Sequence, residues 1–402
     1  METKRITDKI EEAAEIIRRG GLVAVPTETV YGLAGNGLDE TAVHKIYEVK
    51  GRPAVKPLSL MVPDESAMER YCLDVPAEAH ALARRFWPGP LTIVLKAKEE
   101  IPSIVLAGGS TVGLRCPDHP MTLKLLRACG LPLAAPSANP SGEESSKTAE
   151  QVFTYFDGKI DAVIDGGPCG IGRESTLIDM SAAPYRVLRA GALPADAIAD
   201  ALVENLTLIG ITGPSGVGKT TALRELEAVG ALVLDCDEIY HELLQNDQAL
   251  LAALEEAYPG TVRDGVLDRK ALGRIVFGDP EKLALLNRIT HRFVSRAVDA
   301  RLRDFAMSGG SVAAIDAVEL ISAGLSERCD ATVGILSDRE LRLERIMRRD
   351  GISREAAEAR IGAQKPDSYY ESHCSHILFN NADADRFSAD CRALFKEILN
   401  HG

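Results

Sequence analysis

Hydrophobic positions fall along this chain in two different rhythms. Near the start, Ile10, Ala14 and Ile17 share one helical face, with Thr7 as the expected N-cap and Gly20 as the stop. An apolar run at 22–25 reads as a buried strand, and Asp39 opens a helix whose Val43, Ile46 and Val49 recur at helical spacing up to Lys50. Further strands are expected at 91–96, 112–115, 131–135, 162–165, 176–179 and 186–189. Strands outnumber helices here and the alternation is irregular. That pattern predicts a mixed, twisted sheet with helices packed on it.

From Thr207 the alternation becomes regular. Strands at 208–212, 231–234, 312–315, 332–336 and 377–379 are separated by helices at 220–229, 269–307, 339–349, 354–361 and 386–399. Such alternation is what crossover helices on a parallel sheet require, so a three-layer α/β/α arrangement is expected. Both halves are therefore of the α/β class. The predicted division is 1–204 and 205–402, with no Pro/Ser-rich spacer between.

Composition narrows the function classes. The 402 residues are 46% hydrophobic and 26% charged, which excludes a largely disordered chain. A net charge of −13 argues against a surface that grips nucleic acid throughout, while leaving room for local basic pockets. No window approaches the roughly 18 apolar residues of a membrane span, so no membrane partner is expected. The N-terminus reads as a charged amphipathic helix rather than a signal peptide. Eight scattered cysteines without a C-x-x-C pair fit a reducing cytoplasm. His373, Cys374 and His376 carry donor atoms at a spacing that suits a strand edge better than zinc.

The most specific motif is Gly213-Pro214-Ser215-Gly216-Val217-Gly218-Lys219-Thr220, followed by Thr221. It matches G-x-x-x-x-G-K-[ST] between a predicted strand and a predicted helix, the context in which backbone N–H groups cradle phosphates. Lys219 is placed to reach the β/γ-phosphates of ATP, and Thr220 to offer a hydroxyl to Mg²⁺. Asp235 and Asp237 end the next strand, where one carboxylate can orient an acceptor hydroxyl while the other caps a helix. A basic run, Arg342, Arg345, Arg348 and Arg349, lies where a lid would neutralise a transferring phosphoryl group, or forms a solvated helix face.

The segment from Leu208 to Leu244, with GVLDRKALGRIVFGDPEKLALLNRITHRFV, DRELRLERIMRRDGISREAAEARIGAQ and HILFNNAD, resembles dephospho-coenzyme A kinase over about residues 206–400. The resemblance implies ATP-dependent phosphorylation of the 3′-hydroxyl of dephospho-CoA. It assigns Asp237 as base or orienting carboxylate, His241, Arg269 and His291 to the acceptor, and Arg345, Arg349 and Arg360 to the lid. Two departures touch the acceptor side: Arg292 stands where proline is usual, and Ala317-Val318-Glu319-Leu320 where a Pro-Leu-Leu run is common.

In the first half, spacing alone offers Lys50, Arg52 and Lys56 at a helix end, with Ser137 and Asn139 on a distant loop. Together these can surround a phosphate chain, or form a solvated turn and a plain Pro-Ser-Asn loop. PTETVYGLAGN, KGRPAVKPLSLMV, FWPGPLTIVLKA, TVGLRCPDHP, APSANPSG, ESTLIDM and YRVLRAGAL occur in the order seen in YrdC-type threonylcarbamoyl-adenylate synthases, over about residues 10–195. That resemblance implies threonylcarbamoyl-AMP synthesis from L-threonine, bicarbonate and ATP with Mg²⁺, feeding position 37 of transfer RNA through a diffusible product. It assigns Lys50, Arg52, Lys56, Thr111, Ser137, Asn139, Ser145 and Arg189 to ATP, and Thr29, Arg115 and Ser175 to threonine. Lys50 and Arg52 are the expected catalytic cations of this half, as Lys219 and Asp237 are the expected catalytic pair of the other. Met61 stands where many relatives have histidine. Two alternatives remain open at this stage: an RNA-binding or regulatory first half, and a kinase for another small hydroxyl acceptor.

Overall fold

The computed structural model describes residues 2–401. The chain separates into two compact units, Met1–Asn205 with Met307–Gly309, and Leu206–Ala306 with Gly310–Gly402. The first unit is built on an eleven-stranded mixed sheet. Strands Ser59–Met61, Thr111–Arg115, Leu91–Ala97, Thr176–Asp179 and Arg186–Arg189 lie side by side in it, in that order. Leu91–Ala97 runs parallel to Thr176–Asp179 and antiparallel to Thr111–Arg115. Alternation along Leu91–Ala97 places Thr92 and Val94 on one face and Ile93 and Leu95 on the other, so the functional face is set by strand period.

The first helix is Ile10–Arg18, without a side-chain cap. Thr7 is not its cap, because the chain first forms strand Lys4–Ile6 alongside Ala162–Ile164. The helix Glu40–Lys50 does start as Asp39 suggests, with that carboxylate accepting from the Thr41 N–H at 2.9 Å. Gly51 at φ 58° then ends it.

In the second unit the strand order is Leu232–Asp235, Val312–Asp316, Thr207–Thr212, Ala331–Leu336, His376–Phe379, and every pairing is parallel. Helices Lys219–Ala228 and Ala384–His401 cover one face, with Leu223, Leu226, Phe387 and Phe395 buried against Ile209 and Val333. The helical stretch anticipated at 269–307 is two helices, Arg269–Val276 and Pro280–Met307, broken where Gly278 precedes Asp279 and Pro280. Helices Cys236–Asn246 and Gln248–Ala257, which the hydrophobic pattern did not single out, complete this region. No helix among the described residues is long and apolar enough to cross a membrane.

Candidate active sites

In the second unit, strand Thr207–Thr212 is central and delivers residues 213–218 to the carboxyl edge of the sheet. Gly218 adopts φ 93°, and a Cβ there would stand 2.3 Å from the Asn380 amide nitrogen. Only glycine fits. Asn380 Nδ2 donates to the Val217 carbonyl at 2.8 Å, Arg342 Nε to Ser215 O at 3.2 Å and Arg345 Nη1 to Gly216 O at 3.4 Å. Three carbonyls of the loop thus have side-chain donors. Gln364 adds a further tie, accepting from the Ser215 N–H at 3.1 Å and donating to Ser215 Oγ at 2.7 Å.

A cavity of about 500 Å³ opens over this loop, lined by residues 213–220, Asp235, Asp237, Asp316, Arg345, Arg348, Arg349 and Arg360. Thr221 is not part of this lining; its N–H bonds Gly218 O at 3.0 Å in the first helical turn. The arginine run divides by role: Arg342 is buried and braces the loop, while the next three reach the cavity. Arg349 and Arg360 share Asp350, each at 2.7 Å.

Asp316 was not anticipated from the sequence. It ends strand Val312–Asp316, directly opposite Asp235 in the parallel register, and pairs with Lys219 Nζ at 2.8 Å. Burial pushes its carboxyl pKa up, and the Lys219 ammonium opposes that shift. The signal available was an apolar run, Val-Ala-Ala-Ile, ending in Asp.

The neighbouring carboxylates separate cleanly. Asp235 caps helix Cys236–Asn246, accepting from the N–H groups of Asp237 at 2.8 Å and Glu238 at 3.1 Å. Asp237 lines both the phosphate cavity and an adjoining cavity of about 180 Å³, whose walls include Tyr240, Thr290, His291, Val318 and Glu319. His241 and Arg269 bond one another at 3.2 Å and line neither cavity. Arg292 sits over the Phe293 ring instead of facing the cavity.

In the first unit, a cavity of about 390 Å³ lies against the sheet face carrying Thr92 and Val94. Arg52, Lys56, Thr111, Ser137, Ser175 and Arg189 line it. Arg52 donates to the carbonyls of Lys56 and Pro57 at 3.2 and 2.8 Å, which curls its loop toward the cavity. Lys50 stands behind this wall, buried, donating to the carbonyls of Ser137 and Asn139. Burial, with Arg52 nearby, pushes the Lys50 pKa down to about 8. Asn139 is buried and spends its amide on the carbonyls of Pro140 and Glu143, at 2.9 and 2.8 Å. Ser175 Oγ bonds Thr92 Oγ at 2.8 Å, and Arg189 donates to Ser175 O at 2.9 Å.

Thr29 and Arg115 do not line this cavity. Arg115 is buried and donates to Glu28 Oε1 and Thr29 Oγ1, each at 2.8 Å. Met61 lies opposite Arg115 in the parallel register and packs in an apolar cluster with Ala34 and Leu133. Glu174, Thr92 and Ser59 also line the cavity and were not singled out from sequence.

Among the described residues no group of three or more His, Cys, Asp or Glu is arranged to hold a metal by itself. The donors near Lys219 are the Thr220 hydroxyl and the carboxylates of Asp316 and Asp237. This hard-oxygen set suits a Mg²⁺ shared with nucleotide phosphates.

Two protein families match different parts of the chain. A Sua5/YciO/YrdC family described as telomere recombination matches residues 15–191, and the dephospho-CoA kinase family matches residues 207–386. A putative threonylcarbamoyl-AMP synthase of Methanocaldococcus jannaschii is 38% identical over 46% of this chain and 86% of its own length. A dephospho-CoA kinase of Dehalococcoides mccartyi is 34% identical over 48% of this chain and 98% of its own length. The chain belongs to both families. A threonylcarbamoyl-AMP synthase of Pyrococcus abyssi is 48% identical over 49% of this chain, which spans only 58% of that relative.

Proposed function

We propose that the chain is a bifunctional enzyme that makes threonylcarbamoyl-AMP in its first unit and phosphorylates dephospho-CoA in its second. The observation that carries the reading is that each unit holds its own cavity in which a cation placed for phosphate is paired with a carboxylate, Arg189 with Glu174 and Lys219 with Asp316. Two such cavities in separate cores suit two ATP-using reactions in the cytoplasm.

In the second unit, Lys219 and the N–H groups of 216–220 take the β/γ-phosphates, and Thr220 with Asp316 would hold Mg²⁺. The metal would supply charge neutralisation on the phosphates. Asp237 faces both cavities, so it orients the 3′-hydroxyl and accepts its proton as the oxygen attacks the γ-phosphorus and ADP leaves. Arg345, Arg348, Arg349 and Arg360 offset the charge of the transferring group. His291 contributes to the acceptor wall, while His241 and Arg269, which the resemblance assigns to the acceptor, bond one another outside it.

In the first unit, Arg52, Lys56 and Arg189 with Ser137 and Thr111 receive the triphosphate. Lys50, Asn139 and Ser145 hold the loops that present these groups. The resemblance assigns Ser175, Thr29 and Arg115 to threonine, Arg115 to the threonine carboxylate; Ser175 lines the cavity, while Thr29 and Arg115 lie behind it, bonded to each other. The threonine amine condenses with bicarbonate to a carbamate, with loss of water, and a carbamate oxygen then attacks the α-phosphorus as pyrophosphate leaves. No covalent enzyme intermediate is required, so positioning and electrostatics carry the rate. Transfer RNA is reached by a downstream transferase through the diffusible product.

Pyrophosphate release with labelled threonine and bicarbonate tests the first activity, and release that ignores threonine sinks it. Arg52→Ala is expected to lower threonine-dependent pyrophosphate release by about 10²-fold and to leave dephospho-CoA phosphorylation unaltered. A pH profile gives a further check. Lys50 is charged below its pKa of about 8 and neutral above it, so kcat/KM for ATP in the first reaction should fall as pH rises through that value. Lys50→Arg, charged throughout, should move that alkaline limb upward; an unmoved limb would show that Lys50 does not set it.

A further inference from the structure

Glu174 is the one carboxylate among the residues that line the first unit's cavity, and the reaction as described leaves it without a task. It pairs with Arg189 at 2.7 Å and accepts from the Ser145 hydroxyl at 3.3 Å. Its main chain is fixed: Glu174 O accepts from Ala192 N at 2.8 Å. Gly191 lies so close to the next residue that a Cβ there would stand 2.3 Å from the Ser175 carbonyl carbon. These contacts keep the Glu174 backbone beside the cavity.

A triphosphate drawn to Arg52, Lys56 and Arg189 would therefore meet Glu174 at like charge. A cavity serving phosphates alone gains nothing from that arrangement. The second unit contains the same combination, a phosphate-seeking cation held by a carboxylate, with Lys219 on Asp316 at 2.8 Å. There the carboxylate lines the same cavity as Thr220, among oxygen donors suited to the nucleotide's Mg²⁺.

We infer that Glu174 is the protein ligand for the divalent cation that accompanies ATP in the first unit, and that Arg189 passes from Glu174 to the phosphates as the metal nucleotide enters. The inference rests on the reading of this cavity as an ATP site. Mg²⁺ commonly takes one or two carboxylates together with phosphate oxygens and water, so a single glutamate suffices. Glu174 is the counter-ion of Arg189, and a bound cation would relieve its like-charge contact with the phosphates.

Calorimetric titration of the full chain with ATP, once in Mg²⁺ and once in EDTA, tests this. The second unit's site is identified as the one weakened by Lys219→Ala. The first unit's site should bind ATP about tenfold or more tightly with Mg²⁺ than without. Glu174→Gln should cut that preference by about tenfold, chiefly by weakening ATP binding in Mg²⁺, and Glu174→Asp should retain most of it. A Glu174→Gln chain whose first site changes equally in Mg²⁺ and EDTA, or in neither, overturns the assignment, because that is what a purely structural tie to Arg189 and Ser145 would give. A wild-type chain with a single ATP site overturns the ATP reading of the cavity, and the assignment with it.

Discussion

Lys219→Ala is expected to lower dephospho-CoA phosphorylation by about 10³-fold while threonylcarbamoyl-AMP synthesis stays within about twofold. The ammonium is the one lysine in the phosphate cavity, aimed by the first turn of its helix and held on Asp316 at 2.8 Å. Its removal takes away charge at the β/γ-phosphates and also leaves Asp316 buried without its cation. Breaking such a pair costs about 3 kcal/mol. Burial already raises the Asp316 pKa and Lys219 holds it back, so in the variant it rises further. The loss of stability should therefore shrink as pH falls and Asp316 takes up a proton. Thermal melting of the variant across pH, beside both activity assays, checks the two parts separately. Loss of both activities together would contradict independent sites.

Asp237→Asn should lower kcat for dephospho-CoA phosphorylation by about 10²- to 10⁴-fold with little change in the KM for ATP. Asp237 and Val318 line both the phosphate cavity and the acceptor cavity, and of the two only Asp237 can accept a proton. Asp235→Asn is the informative contrast. Its carboxylate is engaged by two N–H groups at the head of helix Cys236–Asn246, and the asparagine carbonyl can accept from both, so this variant should cost little stability and little chemistry. Steady-state kinetics of the two variants decides between them. An Asp235 variant slower than the Asp237 variant would reverse the assignment.

What could be read from the residues depended on how local the determinants were. The phosphate loop is contiguous, and its glycines have conformational reasons to be where they are, so the site could be found from one stretch. Asp316 could not be placed beside Lys219 without knowing that its strand lies next to Thr207–Thr212. The same holds for Gln364, which reaches Ser215 from the lid region. Glu174 meets Arg189 only through the bulged antiparallel pairing of Thr176–Asp179 with Arg186–Arg189. Short strands such as Gly32–Asn36 and Ser59–Met61 escaped because their glycine or brevity leaves little period-2 signal. The Asp-capped helix Gln248–Ala257 begins at Asp247, directly after helix Cys236–Asn246 ends, and that break hid both from a single helical window.

The central claim is that one chain holds two independent ATP-dependent reactions. The direct measurement assays one preparation each of wild type, Lys219→Ala and Arg52→Ala for threonine-dependent pyrophosphate release and for dephospho-CoA-dependent ADP formation. The account predicts both activities in wild type and one, a different one, in each variant. A wild-type chain lacking either activity, or a variant that loses both, would contradict it.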